Sequence, residues 1–577
     1  MNKHKFLLGI VMSLWVTHVA ISQNSSCGCD VTITPTTALP YIAFRPWLPG
    51  KTGSNFLNIR PGQTICLAAG NYNQIRFQDF QGTIDSPIIV KNCGGLVNLN
   101  TVDYHTMSFD NCRYLRITGT GDNSLTYGMS LNGTKIGASG LVITGLSSDI
   151  EVDHIKVTKA SFAGMMIKQD PTCSSNTWRD SFTMYNIKVH DNYVRDVGGE
   201  GLYIGNSFWQ QGLTRTCNGQ NITVYPHRIL GLKIYNNIVR NSAWEAIQYG
   251  CAPDAEVYNN DIDSSGQANV SQQCNGIQMG AGSGGKLYNN VIRNVKCGGI
   301  VAIGFVEDSK IYNNLVVGSS DGMFIDTRDS NQNNISMVVA NNTLSNITNV
   351  GIKMYDYGLN YTVTNPNGSK TFVSFPKNYL PIAKNNIIIG AYWSFQVLGA
   401  AQQSIDSSKN YALRTPFSSP PSFFIPNKLS LFADTTAYTL LASAPIIDWG
   451  IDMSSQGILT DRFGTTRPQG NSFDIGSHES IYNPPPIQPL VSSKSPTNQL
   501  SIYPSISDNE INIRVPPSVK SANYLILNAQ GQVIMNKFYS NSAGSEFSLN
   551  INNLKPGLYI LSLSDNLNKH MAKFVKQ

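Results

Sequence analysis

Glu200 and Glu245 occupy the same place in two similar segments, Glu200-Gly-Leu-Tyr-Ile-Gly205 and Glu245-Ala-Ile-Gln-Tyr-Gly250. If the chain stacks these segments, their carboxyl groups come within one strand spacing, about 4.8 Å. Two carboxyls that close resist ionising together, so one keeps a proton while the other carries charge. An acid beside a base or nucleophile is the equipment of glycosidic cleavage, and a gap near one strand spacing suits the retaining mechanism, about 5–5.5 Å. Asp321, at the same place in Asp321-Gly-Met-Phe-Ile, is a third candidate, with Asp326 and Arg328 completing an alternative outward acidic cluster. A polar residue before a strand-starting Gly is also ordinary corner chemistry, so both roles stay open.

Around the pair, Tyr203, Gln248 and Gln278 each follow an inward apolar residue (Leu202, Ile247, Ile277) and face outward by alternation. They could line a sugar groove or be solvated strand positions. Lys168 and Trp244 border the same segments. Two long insertions, 169–179 and 206–228, carry Trp178, Phe208, Trp209, Tyr225 and His227. Aromatics on such loops either stack on pyranose rings or plug the loop itself. Cys173 and Cys217, one in each insertion, are placed to pair and fix the rim. Cys274 and Cys297 sit two residues before Gly276 and Gly299, to bond or to stack as buried thiols. β-Elimination on a uronate needs other groups, and Lys168, His190, Arg195, Tyr203 and Arg240 could supply them. Arg195, Arg240 and Arg293 form a column that could meet an acidic polymer or be solvated edge charges. No phosphate loop or Ser-His-Asp set is present.

The elements that would position these residues are legible in a repeat. An asparagine pair closes a short β-prone run at Ile234-Tyr-Asn-Asn237, Val257-Tyr-Asn-Asn260, Leu287-Tyr-Asn-Asn290, Ile311-Tyr-Asn-Asn314, Val339-Ala-Asn-Asn342 and Ala383-Lys-Asn-Asn386, with Asp191-Asn192 before them. The second asparagines are 45, 23, 30, 24, 28 and 44 residues apart, which reads as a period of about 23 with inserted loops. A second run follows each pair, as in Gly276-Ile-Gln-Met-Gly and Gly299-Ile-Val-Ala-Ile-Gly. Short alternating strands divided by Asn and Gly corners describe the coils of a parallel β-helix, in which asparagine tolerates the left-handed corner and bonds its equivalent one coil away. Leucine-rich repeats share the period but need a fixed leucine spacing that is absent, and propeller blades need about twice the length.

This pattern resembles the right-handed parallel β-helix of the pectate-lyase-like superfamily. Pro61-Gly-Gln-Thr-Ile-Cys-Leu-Ala-Ala-Gly-Asn-Tyr72 with Ser86-Pro-Ile-Ile-Val-Lys91 resembles its first coil, and Arg467-Pro468 with Asp474-Ile-Gly-Ser-His-Glu479 its closing segment. The resemblance implies an all-β solenoid over about residues 55–480 and, in a superfamily that includes pectate lyases, alginate lyases and chondroitinases, work on a polysaccharide. Any Ca²⁺ requirement would come with the lyase reading; otherwise no cofactor is expected.

Composition agrees with a long exported all-β chain. Only 14% of the 577 residues are charged, below the roughly 25% of ordinary domains. Lys3 and Lys5 precede an apolar run, Phe6 to Val19, and small residues ahead of Gln23, which reads as a signal peptide over 1–22. Asn24-Ser-Ser-Cys27 lacks the apolar residues expected before a lipidated cysteine. All ten cysteines fall between Cys27 and Cys297, and in an exported chain they are expected in disulfides. The net charge of +6 is not a nucleic-acid signal. The leader holds two lysines, and residues 499–577 hold seven Lys or Arg against four Asp or Glu, leaving the body near neutral.

A Pro/Ser-rich linker over 481–498 separates the solenoid, residues 23–480, from a tail over 499–577. Leu500-Ser-Ile-Tyr-Pro504, Tyr524-Leu-Ile-Leu-Asn-Ala-Gln-Gly-Gln-Val-Ile534 and Leu554-Lys-Pro-Gly-Leu-Tyr-Ile-Leu561 alternate like a small β-sandwich. The tail resembles the C-terminal sorting domain of the type IX secretion system, departing where Ser505-Ile-Ser follows Tyr-Pro. That resemblance implies export to the medium or the outer-membrane surface, leader removed and sorting domain cleaved, with the secretion machinery as partner. Read on its residues alone, the tail could instead be a sugar-binding sandwich. The sequence leaves three readings of a monomer acting on an extracellular polysaccharide: a glycoside hydrolase using the Glu pair, a uronate lyase, or a non-catalytic glycan-binding adhesin.

Overall fold

The computed structural model describes residues 27–35, 43–133, 135–327, 335–356, 360–364, 369–374, 380–399, 406–413, 431–481, 500–503, 506–516, 519–529, 531–540, 546–564 and 569–576. The expected leader, nearly all of the linker and Arg328 lie outside them. The chain forms two compact units, Met1–Tyr482 and Asn483–Gln577.

The first unit is a right-handed parallel β-helix. One coil runs from Lys233–Tyr235 through Ile238–Ser242 to Ile247–Tyr249, and Glu256–Tyr258 begins the next. The first two strands of each coil join a 22-stranded sheet and the third joins a 13-stranded sheet, parallel throughout. The interior is three stacks of apolar side chains in register. Val189, Ile234, Val257, Leu287, Ile311 and Val339 form one, and Val194, Val239, Ile262, Ile292, Val316 and Leu344 the second. The third is Leu202, Ile247, Ile277, Ile300, Met323 and Ile352. All are fully buried, so each coil completes its core only against its neighbours.

The two asparagines of each pair have separate jobs. The first, at Asn236, Asn259, Asn289, Asn313, Asn341 and Asn385, holds φ between 54° and 57°, the left-handed bend between the first two strands. The second forms a buried ladder. Asn290 Nδ2 donates to Val257 O and to Asn314 Oδ1, both at 3.0 Å, while its Oδ1 accepts Asn260 N at 3.0 Å and Asn260 Nδ2 at 2.9 Å. The same pattern runs from Asn192 to Asn410.

Disulfides join Cys27 to Cys93 and Cys29 to Cys66 at the first coils, and Cys173 to Cys217 and Cys274 to Cys297 beside later ones. Cys112 and Cys251 stay free and buried. The closing segment is tied down by a buried ion pair, Arg467 Nη1 to Glu479 Oε2 at 2.7 Å, and by Asn341 Nδ2 donating to Asp474 O at 3.1 Å. In the second unit a three-stranded and a five-stranded sheet share one core that includes Ile511, Ile513, Tyr524, Ile526, Leu561 and Phe574, making a small β-sandwich.

The ladder makes a sharp contrast testable. Asn290→Ala orphans buried groups on two neighbouring coils and is expected to cost at least about 3 kcal/mol. Asn289→Gly, which keeps the left-handed bend, should cost less than about 1 kcal/mol. Urea unfolding midpoints of the two variants check this, and equal losses would deny the ladder its role.

Candidate active site

The strands Met165–Ile167, Leu202–Ile204, Ile247–Tyr249 and Ile277–Met279 lie side by side, placing Met166, Tyr203, Gln248 and Gln278 on one line. The ladder extends two residues further back. Gly164 N donates to Glu200 O and Gly201 N to Glu245 O, both at 2.9 Å, so Glu200 and Glu245 stand on adjacent rungs. Glycine after each corner sets their direction. A Cβ on Gly201 would come 2.6 Å from Val239 Cγ1, and one on Gly276 2.6 Å from Ile292 Cγ2, so this position faces the packed interior and the residue before it turns away. Asn275, next in the Glu column, shows where that leads: its Nδ2 is 3.0 Å from Gln278 Oε1.

The result is a double polar ladder, Glu200–Glu245–Asn275 beside Tyr203–Gln248–Gln278. Asn275 Oδ1 accepts Gly298 N at 3.1 Å, which fixes the amide so that Nδ2 donates to Glu245 Oε1 at 3.3 Å. Gln278 Nε2 donates to Gln248 Oε1 at 3.4 Å. At the other end, Lys168 Nζ donates to Tyr203 Oη at 3.4 Å, lies 4.4 Å from its ring centroid, and pairs with Asp170 Oδ1 at 3.1 Å. Phe162 packs edge-on against both Tyr203 and Trp244, with centroids 6.3 and 5.6 Å apart.

Both carboxyls are shielded, Glu200 at 2% exposure and Glu245 at 0%, and the Oε2 atom of each lacks a hydrogen-bond partner. Burial pushes Glu200 up to about 7, with Lys168 pulling the other way. Burial pushes Glu245 up to about 8, and the Glu200 charge adds to the rise. Burial alone would lower Lys168, but Tyr203 and Asp170 outweigh it and leave the ammonium favoured.

The other expected site residues lie elsewhere or serve otherwise. Asp321 is three rungs beyond Glu245, and its Oδ1 accepts Asn349 Nδ2 at 2.7 Å and Val350 N at 3.2 Å, tying one corner to the next. Asp326 corrects an expectation: it ends its strand fully buried rather than facing outward with Asp321. Trp209 is a second correction. Its ring packs on Cys251 and Ala281, lies against Gly282, and has the Arg179 guanidinium 3.5 Å from its centroid, so it plugs the loop and offers no sugar platform. His227 is likewise internal, its Nε2 accepting Gln169 N at 3.2 Å. The arginine column is interrupted by Asp263, and Arg240 and Arg293 both pair with Asp261, so these charges are internally compensated.

Sequence reasoning passed over Phe162 and the stabilising role of Asn275. It named His190 but not Glu151 and Asp153, which form with it a second polar cluster on the outer face of the other sheet. There both carboxylates already face Arg116 Nε, at 3.1 and 2.9 Å, and Lys188 meets Glu151 at 3.2 Å. A metal ion would have to displace these cations.

The raised carboxyl pKa values predict a pH effect. The unfolded carboxyls ionise near 4.5 while the folded ones hold their protons to about 7 and 8, so the folded state binds more protons in that window. Stability contributed by the pair is therefore full below about pH 4.5 and is lost as pH rises towards 8. Relative to wild type, Glu245→Gln is expected to flatten the fall in melting temperature between pH 5 and pH 8, since Asp474, also raised to about 7 by burial, remains in both proteins. Parallel melting curves for the two would mean that Glu245 is ionised in the fold.

Residues 501–577 match the family model described as "Secretion system C-terminal sorting domain". No curated protein matches the chain in sequence. In structure the chain is similar to XylC in complex with xylose, at 9% identity over 91% of this chain and 98% of that one, with a TM-score of 0.35. It is similar to pectate lyase Pel9A at 14% identity, 73% and 89% coverage and a TM-score of 0.33. To the mannuronan C-5 epimerase AlgE4 A-module of Azotobacter vinelandii it shows 12% identity, 62% and 91% coverage and a TM-score of 0.32. The fold assignment rests on the strand pairing described above. The chain is thus a right-handed parallel β-helix protein carrying a C-terminal sorting domain of the type IX secretion system.

Proposed function

We propose that this exported protein cleaves an extracellular polysaccharide by glycoside hydrolysis, with Glu245 as acid and Glu200 as nucleophile. One observation carries the reading: two carboxyls on adjacent rungs, both buried, each with an oxygen that bonds to nothing. An orphaned buried acceptor costs about 1–3 kcal/mol, a cost that a corner residue such as Asp321 avoids through its bonds to Asn349 and Val350. Of the two, Glu245 keeps its proton to the higher pH, while Glu200 feels the Lys168 charge and ionises first. In the first step Glu245 transfers its proton to the glycosidic oxygen as the anomeric C–O bond breaks, and Glu200 forms an ester to the anomeric carbon. In the second, Glu245 takes a proton from water, whose oxygen displaces Glu200. Phe162, packed on Tyr203 and Trp244, borders the ladder where the sugar would enter. Gln248 and Gln278 provide amides for sugar hydroxyls.

A second reading has its own support. Lys168 Nζ donates to the Tyr203 hydroxyl oxygen, and a tyrosine set beside a lysine is equipment for taking the proton next to a uronate carboxyl. Ca²⁺ would belong to that reading, as the counter-ion of the uronate.

The test uses residues 24–480 and a panel of neutral and uronate polysaccharides. New reducing ends without absorbance near 235 nm, unaffected by a chelator, are expected. Glu200→Gln and Glu245→Gln should each lower turnover by at least about a thousandfold while Tyr203→Phe keeps most of it. Absorbance at 235 nm lost in Tyr203→Phe would move the assignment to the lyase. Absence of any cleavage, with retained glycan binding, would leave the adhesin.

A further inference from the structure

The sorting domain has two unlike sheets. The five-stranded one orders Ile506–Ser507, Lys569–Lys576, Gly557–Ser564, Ser521–Asn528 and Val533–Ser540 across its width. Its inner rows, Tyr524, Ile526, Tyr539, Leu561, Leu563 and Phe574, fill the core. Strand alternation sends the other rows to the opposite face, and register assembles them: Asn523 beside Phe538, Leu527 between Val533 and Ile560, Ile560 beside Lys573, Ser562 beside Met571, and Leu558 beside Val575. An outer face would ordinarily be polar, yet here Phe538 is 66% exposed, Val533 56%, Met571 55% and Leu558 44%. An apolar patch of this kind on a folded domain marks an interaction surface.

Its charges have one sign. None of the five strands contains Asp or Glu, and Lys573, beside Ile560, is exposed on this face, whereas Lys537 pairs with Tyr524 in the core-facing row. The carboxylates Glu510 and Glu546 belong to the three-stranded sheet, where Glu546 is held by Arg514 and Tyr503. We propose that this apolar face, with Lys573 on it, is where the secretion machinery grips the chain, and that the docking component offers an apolar patch with a carboxylate for Lys573. The sorting-domain match makes the export apparatus the expected reader of this unit. A second copy fits poorly, because the same face of a twin offers Lys573 no carboxylate. Aliphatic side chains with few hydrogen-bonding groups fit a glycan poorly too.

The full-length chain expressed in a bacterium with type IX secretion tests this. Val533→Glu combined with Phe538→Glu, and separately Lys573→Glu, should each lower surface and medium protein by at least about tenfold, with intact tail accumulating in the periplasm. Phe538→Leu and Glu510→Gln, on the other sheet, should export within about twofold of wild type. Melting of the purified full-length variants checks folding. If the double variant unfolds, Lys573→Glu decides, since Lys573 lies outside the core. Wild-type export of folded face variants would overturn the proposal. So would a wild-type dimer, seen by sedimentation, that the double variant breaks without losing export.

Discussion

The asparagine ladder is the constraint on which the first unit depends. Each second asparagine spends its amide on the coil before it and the coil after it, and the inserted loops cannot disturb that pairing because they leave the chain elsewhere. The consequence is a ruler. Glu200 follows Asn192 by eight residues, Glu245 follows Asn237 by eight, and Gly298 follows Asn290 by eight; Asn275 follows Asn260 by fifteen because that coil's insertion falls before it, and Asp321 follows Asn314 by seven. Twenty-two residues of extra chain separate Glu200 from Glu245 in sequence beyond the basic period, yet the insertion comes after the strand Leu202–Ile204 and leaves the count from asparagine to glutamate unchanged. Two distant carboxyls are thereby fixed one rung apart without any contact evolved between them.

This explains which features were legible. The asparagine pairs and the Gly-Ile strand starts report directly on a left-handed bend and on an interior with no room for a Cβ, so fold, column assignments and the register of Tyr203, Gln248 and Gln278 follow from counting. The ladder's last rung escaped notice because Lys409, not asparagine, holds the left-handed position before Asn410, with φ 58°. The coil carrying Phe162 and Lys168 lies before the first asparagine pair, where Asp153-His154 stands at the corresponding bend, and no repeated letter flags it. What counting cannot supply is cover. Alternation states that a side chain leaves the interior, and it is silent on whether a loop then closes over it. Trp209 was for that reason a candidate platform in the sequence and is a plug in the fold, and Asp326 was outward by pattern and is buried in fact.

Columns elsewhere on the solenoid give the Glu pair its meaning. The same ladder that stacks glutamates also stacks Tyr235, Tyr258, Tyr288 and Tyr312, with ring centroids 4.9 to 5.0 Å apart and planes nearly parallel. Such rings gain from their neighbours. Charged columns alternate in sign over part of their length, as in Arg240–Asp263–Arg293 and Lys233–Glu256–Lys286, and Glu256 bridges both of its lysines. Where like charges do meet, as Lys188 on Lys233, Arg195 on Arg240 and Lys286 on Lys310, the side chains are at least part-exposed, and each has a carboxylate partner except Lys310, which donates to Gln456 O.

Against that background Glu200 on Glu245 is the arrangement a stacking fold has most reason to avoid. The two groups repel if charged, and neither reaches a cation, Lys168 being engaged by Asp170 and Tyr203. Packing offers no compensation either, because an apolar pair of the same size would fill the space without orphaned oxygens. Protonation relieves the repulsion and leaves the unsatisfied atoms in place. A group held in this state has a proton to give at neutral pH and gains hydrogen bonds only when something polar enters beside it. In the function proposed here, a sugar with its hydroxyls and ring oxygen is that guest, and the hydrogen bonds the two orphaned oxygens lack would be gained on its binding.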